Sequence, residues 1–157
     1  MKLSLKTGIS FGLTSGIITT LGLIVGLHAG TQSKIAVMGG IVTIAVADAF
    51  SDALGIHISQ EAQNKFSITS IWESTLATFG SKLLFALTFI VPMTLLPLNL
   101  AIIISIVWGL LILGIFSYIM ARQHRHPWSV VSEHLIIALI VIFITHYLGD
   151  WIRHVFG

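Results

Sequence analysis

Asp48 and Asp52 sit four residues apart in "GGIVTIAVADAFSDALGIHIS", residues 39–59, one of the most apolar stretches of the chain. A 3.6-residue period puts both carboxylates on one helical face, continued by Gly55 and Ser59. At mid-bilayer each costs about 2.5–3.5 kcal/mol on insertion scales, so the pair forfeits about 5–7 kcal/mol before any compensation. Lys34, Lys82 and Arg153 are expected near span ends, with no cation at mid-membrane. Two neighbouring carboxylates without a fixed cation repel each other and are expected to share a proton. A divalent metal would displace that proton, which is the minimal chemistry of metal/proton exchange. The competing reading has both acids hydrogen-bonded to Ser, Thr or His of neighbouring helices, holding a bundle together.

Other residues could assist. "LTSGIITTLG" brings Thr14, Ser15, Thr19 and Thr20 as oxygen donors. The surrounding glycines, Gly8, Gly12 and Gly16, then Gly22, Gly26 and Gly30, recur every four residues, a small-residue pattern that lets membrane helices approach closely. His57 near one end of the same helix as the acids could line an entrance, with Glu61 and Glu73 nearby. His146 and Asp150, again four apart, could relay protons or ions near the opposite end, or simply bond to each other. His124 and His126 in "ARQHRHPW" read as solvated loop residues, and His134 follows Glu133. None of these makes a tight motif such as HExxH.

The elements that must position these groups are membrane helices. Of 157 residues, 55% are hydrophobic and only 9% charged, with a mean hydropathy of +0.99. Soluble domains carry about a quarter charged residues, so the chain is an integral membrane protein of all-α class with a single domain. The absence of cysteine excludes disulfides, thiolate metal sites and thiol nucleophiles. A net charge of +2, scattered, does not suit nucleic acid. Five segments have the roughly 20 apolar residues a span needs: about 8–28, 35–58, 76–97, 99–121 and 130–151. The first carries Lys2 and Lys6 like a signal peptide but is long enough to be retained as a span. Pro92 should kink or unwind the third span, and Pro97 with Asn99 marks the turn after it. The connector "SQEAQNKFSITSIWES" could form a short interfacial helix with Phe66, Ile68, Ile71 and Trp72 toward lipid. Counting Lys2, Lys6, Lys65, Lys82, Arg122 and Arg125 on one side against Lys34 and Arg153 gives an N-in, C-out topology. The short termini suit a prokaryotic inner membrane.

The quoted stretches resemble a known family. "GLTSGIITTLGLIVGL" resembles the first helix of the vacuolar iron transporter family, roughly G-x-N-D-G-[LI]-V-T-T-L-G-L-[VI]-x-G. "GGIVTIAVADAFSDALGIHISQEAQ" resembles its second, roughly G-L-x-x-G-A-[LF]-S-M-A-x-G-E-Y-[VL]-S-x-x-S-Q. "FALTFIVPMTLLPL" and "THYLGDWI" fit the third and fifth. The resemblance implies a homodimer of five-helix protomers exporting Fe²⁺, and often Mn²⁺, from the cytoplasm by proton antiport. The family's Asp on helix 1 falls on Ser15, its Met on helix 2 on Asp48, and its Glu on Asp52. The Glu-rich cytoplasmic domain of typical members is replaced by the connector, so the chain resembles a minimal relative.

The expected function is therefore proton-coupled export of a divalent metal, with Asp48, Asp52, Ser15 and Thr19 as ligands. An all-oxygen set shifts the preference toward Mn²⁺ or Fe²⁺, with Mg²⁺ or Ca²⁺ as harder alternatives. No resident cofactor is expected; the partners are the metal, protons, the bilayer and a second copy. The rivals are a non-transporting scaffold whose aspartates make interhelical hydrogen bonds, and an integral membrane enzyme using "RQHRH" and "SEH".

Overall fold

The structure, a computed structural model, describes residues 2–122 and 126–157. His124, read above as a loop residue, and Arg125, counted above in the charge tally, lie outside the described residues. The described residues form α1 (Leu3–Thr31), α2 (Lys34–Ala62), α3 (Ile68–Thr88), α4 (Ile90–Leu95), α5 (Leu98–Ala121) and α6 (Pro127–Phe156). With α3 and α4 counted as one interrupted span, five helices are long and apolar enough to cross a membrane. Helices are the expected solution, because lipid offers no partner for an unpaired backbone N–H or C=O.

Short caps set the boundaries. Gln32 takes the left-handed conformation (φ 51°) and its N–H bonds back to His28 O at 3.0 Å, ending α1. Ser33 then caps α2 by accepting from the Ala36 N–H at 3.3 Å. Asn64, also left-handed (φ 51°), turns the chain after α2, and Ser67 caps α3 by accepting from the Ser70 N–H at 3.2 Å. The connector is thus five residues, 63–67, and no separate interfacial helix forms. Ile71 is buried within α3, whereas Trp72 stays exposed. Pro92 cannot donate to the carbonyl four residues back, and the helix is broken at Phe89 before resuming as α4.

The early start of α3 moves one residue decisively. Lys82 lies fourteen residues from Ile68 and thirteen from Leu95, at the centre of the third span rather than near its end. Its side chain is 1% exposed. The expectation of a mid-membrane region without cations is therefore overturned, and Lys82 leaves the tally of loop charges.

α1 is the central helix: 56% of its apolar window is buried within the chain, against 11% for α6. Its two glycine series serve different neighbours. A Cβ at Gly8 or Gly12 would collide with the backbone of Ser74 or Thr78, and one at Gly16 would lie 3.1 Å from Lys82 Cγ. A Cβ at Gly22 would lie 2.9 Å from Val141, at Gly26 3.3 Å from Thr145 O, and at Gly30 3.3 Å from Gly149 O. The six-residue step from Gly16 to Gly22 rotates the small face by about 240° at 3.6 residues per turn. The first series accordingly receives α3 and the second receives α6. Below them Leu13, Ile17, Leu21 and Ile24 pack with Val37, Ile41, Phe89 and Met93 into an apolar core.

Gly16→Val should force α3 away from α1 at the level of Lys82 and cost at least about 2 kcal/mol by overpacking. Gly80→Ala, where a Cβ meets nothing within 4 Å, should leave stability unchanged. Thermal melting of both variants in detergent checks the pair.

Candidate functional site: a carboxylate pair closed on a buried lysine

Asp48 lies fourteen residues from each end of α2, and Asp52 one turn nearer its C-terminus. Both face the Lys82 ammonium: Nζ is 2.5 Å from Asp48 Oδ2 and in closer contact with Asp52 Oδ2. α1 completes the group. Ser15 Oγ donates to Asp52 Oδ2 at 2.6 Å and accepts from Lys82 Nζ at 2.8 Å. Three helices therefore meet at one ammonium, through Ser15, the two aspartates and Lys82.

The burial is uneven. The Lys82 side chain is sealed, while those of Asp48 and Asp52 keep 25% and 20% of their exposure. Asp48 Oδ2 touches the ammonium without a hydrogen bond of good geometry, and it has no other partner. With Lys82 protonated and both acids ionised, the cluster carries one net negative charge. The repulsion expected between bare carboxylates is thus offset by the Lys82 side chain that contacts both of them.

Gly16 explains how an ammonium reaches this depth. Its missing side chain leaves room for the aliphatic stem of Lys82 to pass along α1. Ser74, Thr78 and Lys82, four residues apart, form the α3 stripe against that glycine face. The Thr78 hydroxyl is occupied by its own helix, donating to Ser74 O at 2.8 Å, which lets it be buried at low cost.

The other anticipated residues are not all brought together. Thr19 donates to Ser15 O at 2.9 Å, steadying the backbone that carries Ser15 without touching either acid. His57 binds Thr75 through Nδ1 at 3.1 Å. Since the Thr75 hydroxyl donates to Ile71 O, the imidazole Nδ1 is the donor, and the ring stands edge-on to Trp72 at 4.8 Å. Phe50, Trp72 and Phe79 enclose His57 in a lipid-facing cleft of about 380 Å³. Glu73 pairs with Lys2 and accepts from Ser4 Oγ at 2.5 Å, at the end of the bundle that carries the N-terminus. Glu61 is exposed in the last turn of α2. His146 and Asp150 approach to 3.7 Å on the exposed face of α6, with Arg153 at 3.5 Å from Asp150. Gly149 packs on Gly30, so Asp150 lies near the level of Gly30, about 22 Å along α1 from Ser15 at 1.5 Å per residue. His134 bonds Ser117 between α6 and α5 at 2.8 Å.

Among the described residues no group of three or more His, Asp or Glu side chains could hold a metal ion. The oxygen donors that converge are Asp48, Asp52 and Ser15, with Lys82 in their midst. No family model, curated protein or solved structure matches the chain.

Lys82→Met should leave the acids without their cation and cost about 3–5 kcal/mol. Adding Asp48→Asn and Asp52→Asn to that variant should recover most of the loss. Unfolding free energies of the single, double and triple variants measure the coupling.

Proposed function

We propose that the protein is a secondary transporter exchanging a divalent cation for a proton, with Lys82 as the group that gives up the proton. The observation that carries this reading is the buried ammonium held between two mid-membrane carboxylates. Charge accounting supports it. A divalent ion added to a cluster of net charge −1 would leave +1 in a low-dielectric interior, which is costly. Loss of one proton from Lys82 as the ion enters brings the sum to zero. Cation binding and protonation of the Lys82 amine then become alternatives at one site, and alternation between them couples the two fluxes.

Asp48, Asp52 and Ser15 are oxygen ligands, favouring hard ions such as Mn²⁺ and Fe²⁺, with Mg²⁺ and Ca²⁺ as competitors. Thr19 acts one step removed, through the Ser15 backbone. The resemblance of helices 1 and 2 to the vacuolar iron transporter family adds Fe²⁺ and Mn²⁺ export as the direction we favour, with the N-terminus in the cytoplasm of a prokaryotic cell.

We further propose a homodimer built on α2. Gly39, Thr43, Ala47, Ser51, Gly55 and Ser59 form an unbroken small-residue stripe at four-residue spacing, exposed along its whole length. A Cβ at Gly39 or Gly55 would meet nothing within 4 Å, and such stripes bring membrane helices close together. Ser51 and Ala47 each precede one of the acids, so a second α2 would cover the side on which the site is least enclosed.

A second reading has one observation in its favour. The triad ties α1, α2 and α3 together, as a purely structural pin in a non-transporting scaffold would. Flux separates the two. In proteoliposomes with an imposed pH gradient, Asp48→Asn plus Asp52→Asn should cut Mn²⁺ or Fe²⁺ flux at least tenfold, on the order of one lost ion contact. Wild-type flux in that variant sinks the site, and wild-type protein without gradient-driven flux leaves the scaffold. Ser51→Cys, in a chain with no native cysteine, should form an intermolecular disulfide on oxidation in the membrane; a monomer throughout overturns the α2 dimer.

A further inference from the structure

One end of the bundle holds a recess that the triad does not use. Ser4 and Thr7 of α1, Ser59, Gln60 and Gln63 of α2, and Ser70 of α3 place polar groups among the apolar surface of Leu3 and Phe66 in a vestibule of about 340 Å³ at the end carrying the N-terminus. Ser4, Thr7 and Gln63 already donate within the protein, to Glu73, Leu3 O and Ser59 O, whereas Gln60 carries an unmet acceptor. The vestibule also reaches Ile56, one helical turn from Asp52.

Gln60 closes the inner side. It is 6% exposed, and its Nε2 donates to Ser74 Oγ at 3.1 Å, joining α2 to α3. Ser74 Oγ in turn lies 3.1 Å from Ser4 O, so the bond ties all three helices. Gln60 Oε1, however, is buried without any hydrogen-bond partner. α2 and α3 are antiparallel, so descending from this bond leads in register to the triad. On α2 the stripe runs Gln60, Ile56, Asp52, Asp48; on α3 it runs Ser74, Thr78, Lys82. Beyond the Gln60–Ser74 bond, Ile56 and Thr78 separate the vestibule from the charges.

We propose that the vestibule is the aqueous entrance through which hydrated divalent cations and protons reach Asp52 and Lys82, and that Gln60 is its gate. The inference rests on the exchange reading for its purpose. The gate is held shut by one hydrogen bond and opposed by one unmet acceptor. Water entering beside Gln60 satisfies Oε1, so the penalty of the closed form becomes a bias toward opening. A neutral carboxamide suits the position, since it can exchange ligands with water without trapping the cation as a carboxylate would.

The cysteine-free chain allows a direct test with a membrane-impermeant cationic methanethiosulfonate applied from each side of sealed vesicles. Thr7→Cys should react quickly from the N-terminal side only, and Thr43→Cys, on the stretch of α2 beyond Asp48, should not react from that side. Thr78→Cys should react slowly. Gln60→Ala should accelerate Thr78→Cys about tenfold, and Gln60→Leu, which keeps the plug but removes the unmet acceptor, should slow it by a similar factor, on the scale of one unsatisfied buried group. A Thr78→Cys rate that ignores both Gln60 variants, or a Thr7→Cys site closed to the reagent, overturns the gate. Cation flux is measured on the same proteins. Normal flux with the wrong labelling pattern defeats the gate alone, whereas the expected pattern without any flux defeats the exchange reading and leaves a gated recess.

Discussion

The rest of the molecule is arranged around the burial of a single ammonium. A lysine at the middle of a membrane span is tolerable only with anions at contact distance and room for its stem. Asp48 and Asp52 supply the first from α2, and Gly16 supplies the second from α1. These requirements fix the relative height of three helices within a fraction of a turn. The short turns at residues 32–33 and 63–67 make α2 antiparallel to both α1 and α3, and within that arrangement the constraint sets the level at which Ser15, Asp48, Asp52 and Lys82 meet. Two carboxylates share one ammonium here, which distinguishes the cluster from a one-to-one ion pair.

Much of this was legible in the amino acids. The five spans, the break at Pro92, the turn at Pro97 and the shared face of Asp48 and Asp52 follow from hydropathy, proline chemistry and helical period. What failed was the start of the third span. "SITSIWEST" reads as connector, which starts the third span at about residue 76 and puts Lys82 near its end. That polarity is misleading because hydroxyls there and just beyond bond to carbonyls of their own helix: Thr75 to Ile71, Thr78 to Ser74 and Ser81 to Ala77. Glu73 is paired with Lys2, the residue just before α1. A count of charges and hydroxyls cannot register such internal satisfaction. The Ser67 cap was the available signal, since a serine three residues before Ser70 opens a helix well ahead of the first long apolar run.

The same error hid the role of the first glycine series. Close packing was evident from spacing alone, but which neighbour each series met was not. Gly8, Gly12 and Gly16 gain their meaning only once Ser74, Thr78 and Lys82 are known to lie opposite. Gln60 escaped notice for a similar reason, because its importance comes from an atom left without a partner rather than from its residue type.

The glycine faces of α1 also bear on how the bundle can deform. Where backbone rests on backbone, the helices come close enough for hydroxyls to reach carbonyls across the seam, as Ser74 does to Ser4 O and Ser81 to Gly8 O. α3 is held to α1 in this way from Gly8 to Gly16, whereas α2 is keyed to α1 by the Leu23 and Leu27 side chains around Gly40. The bundle thus has one seam of apolar side chains and one of close backbones and polar bonds, and displacing the lysine means breaking the second.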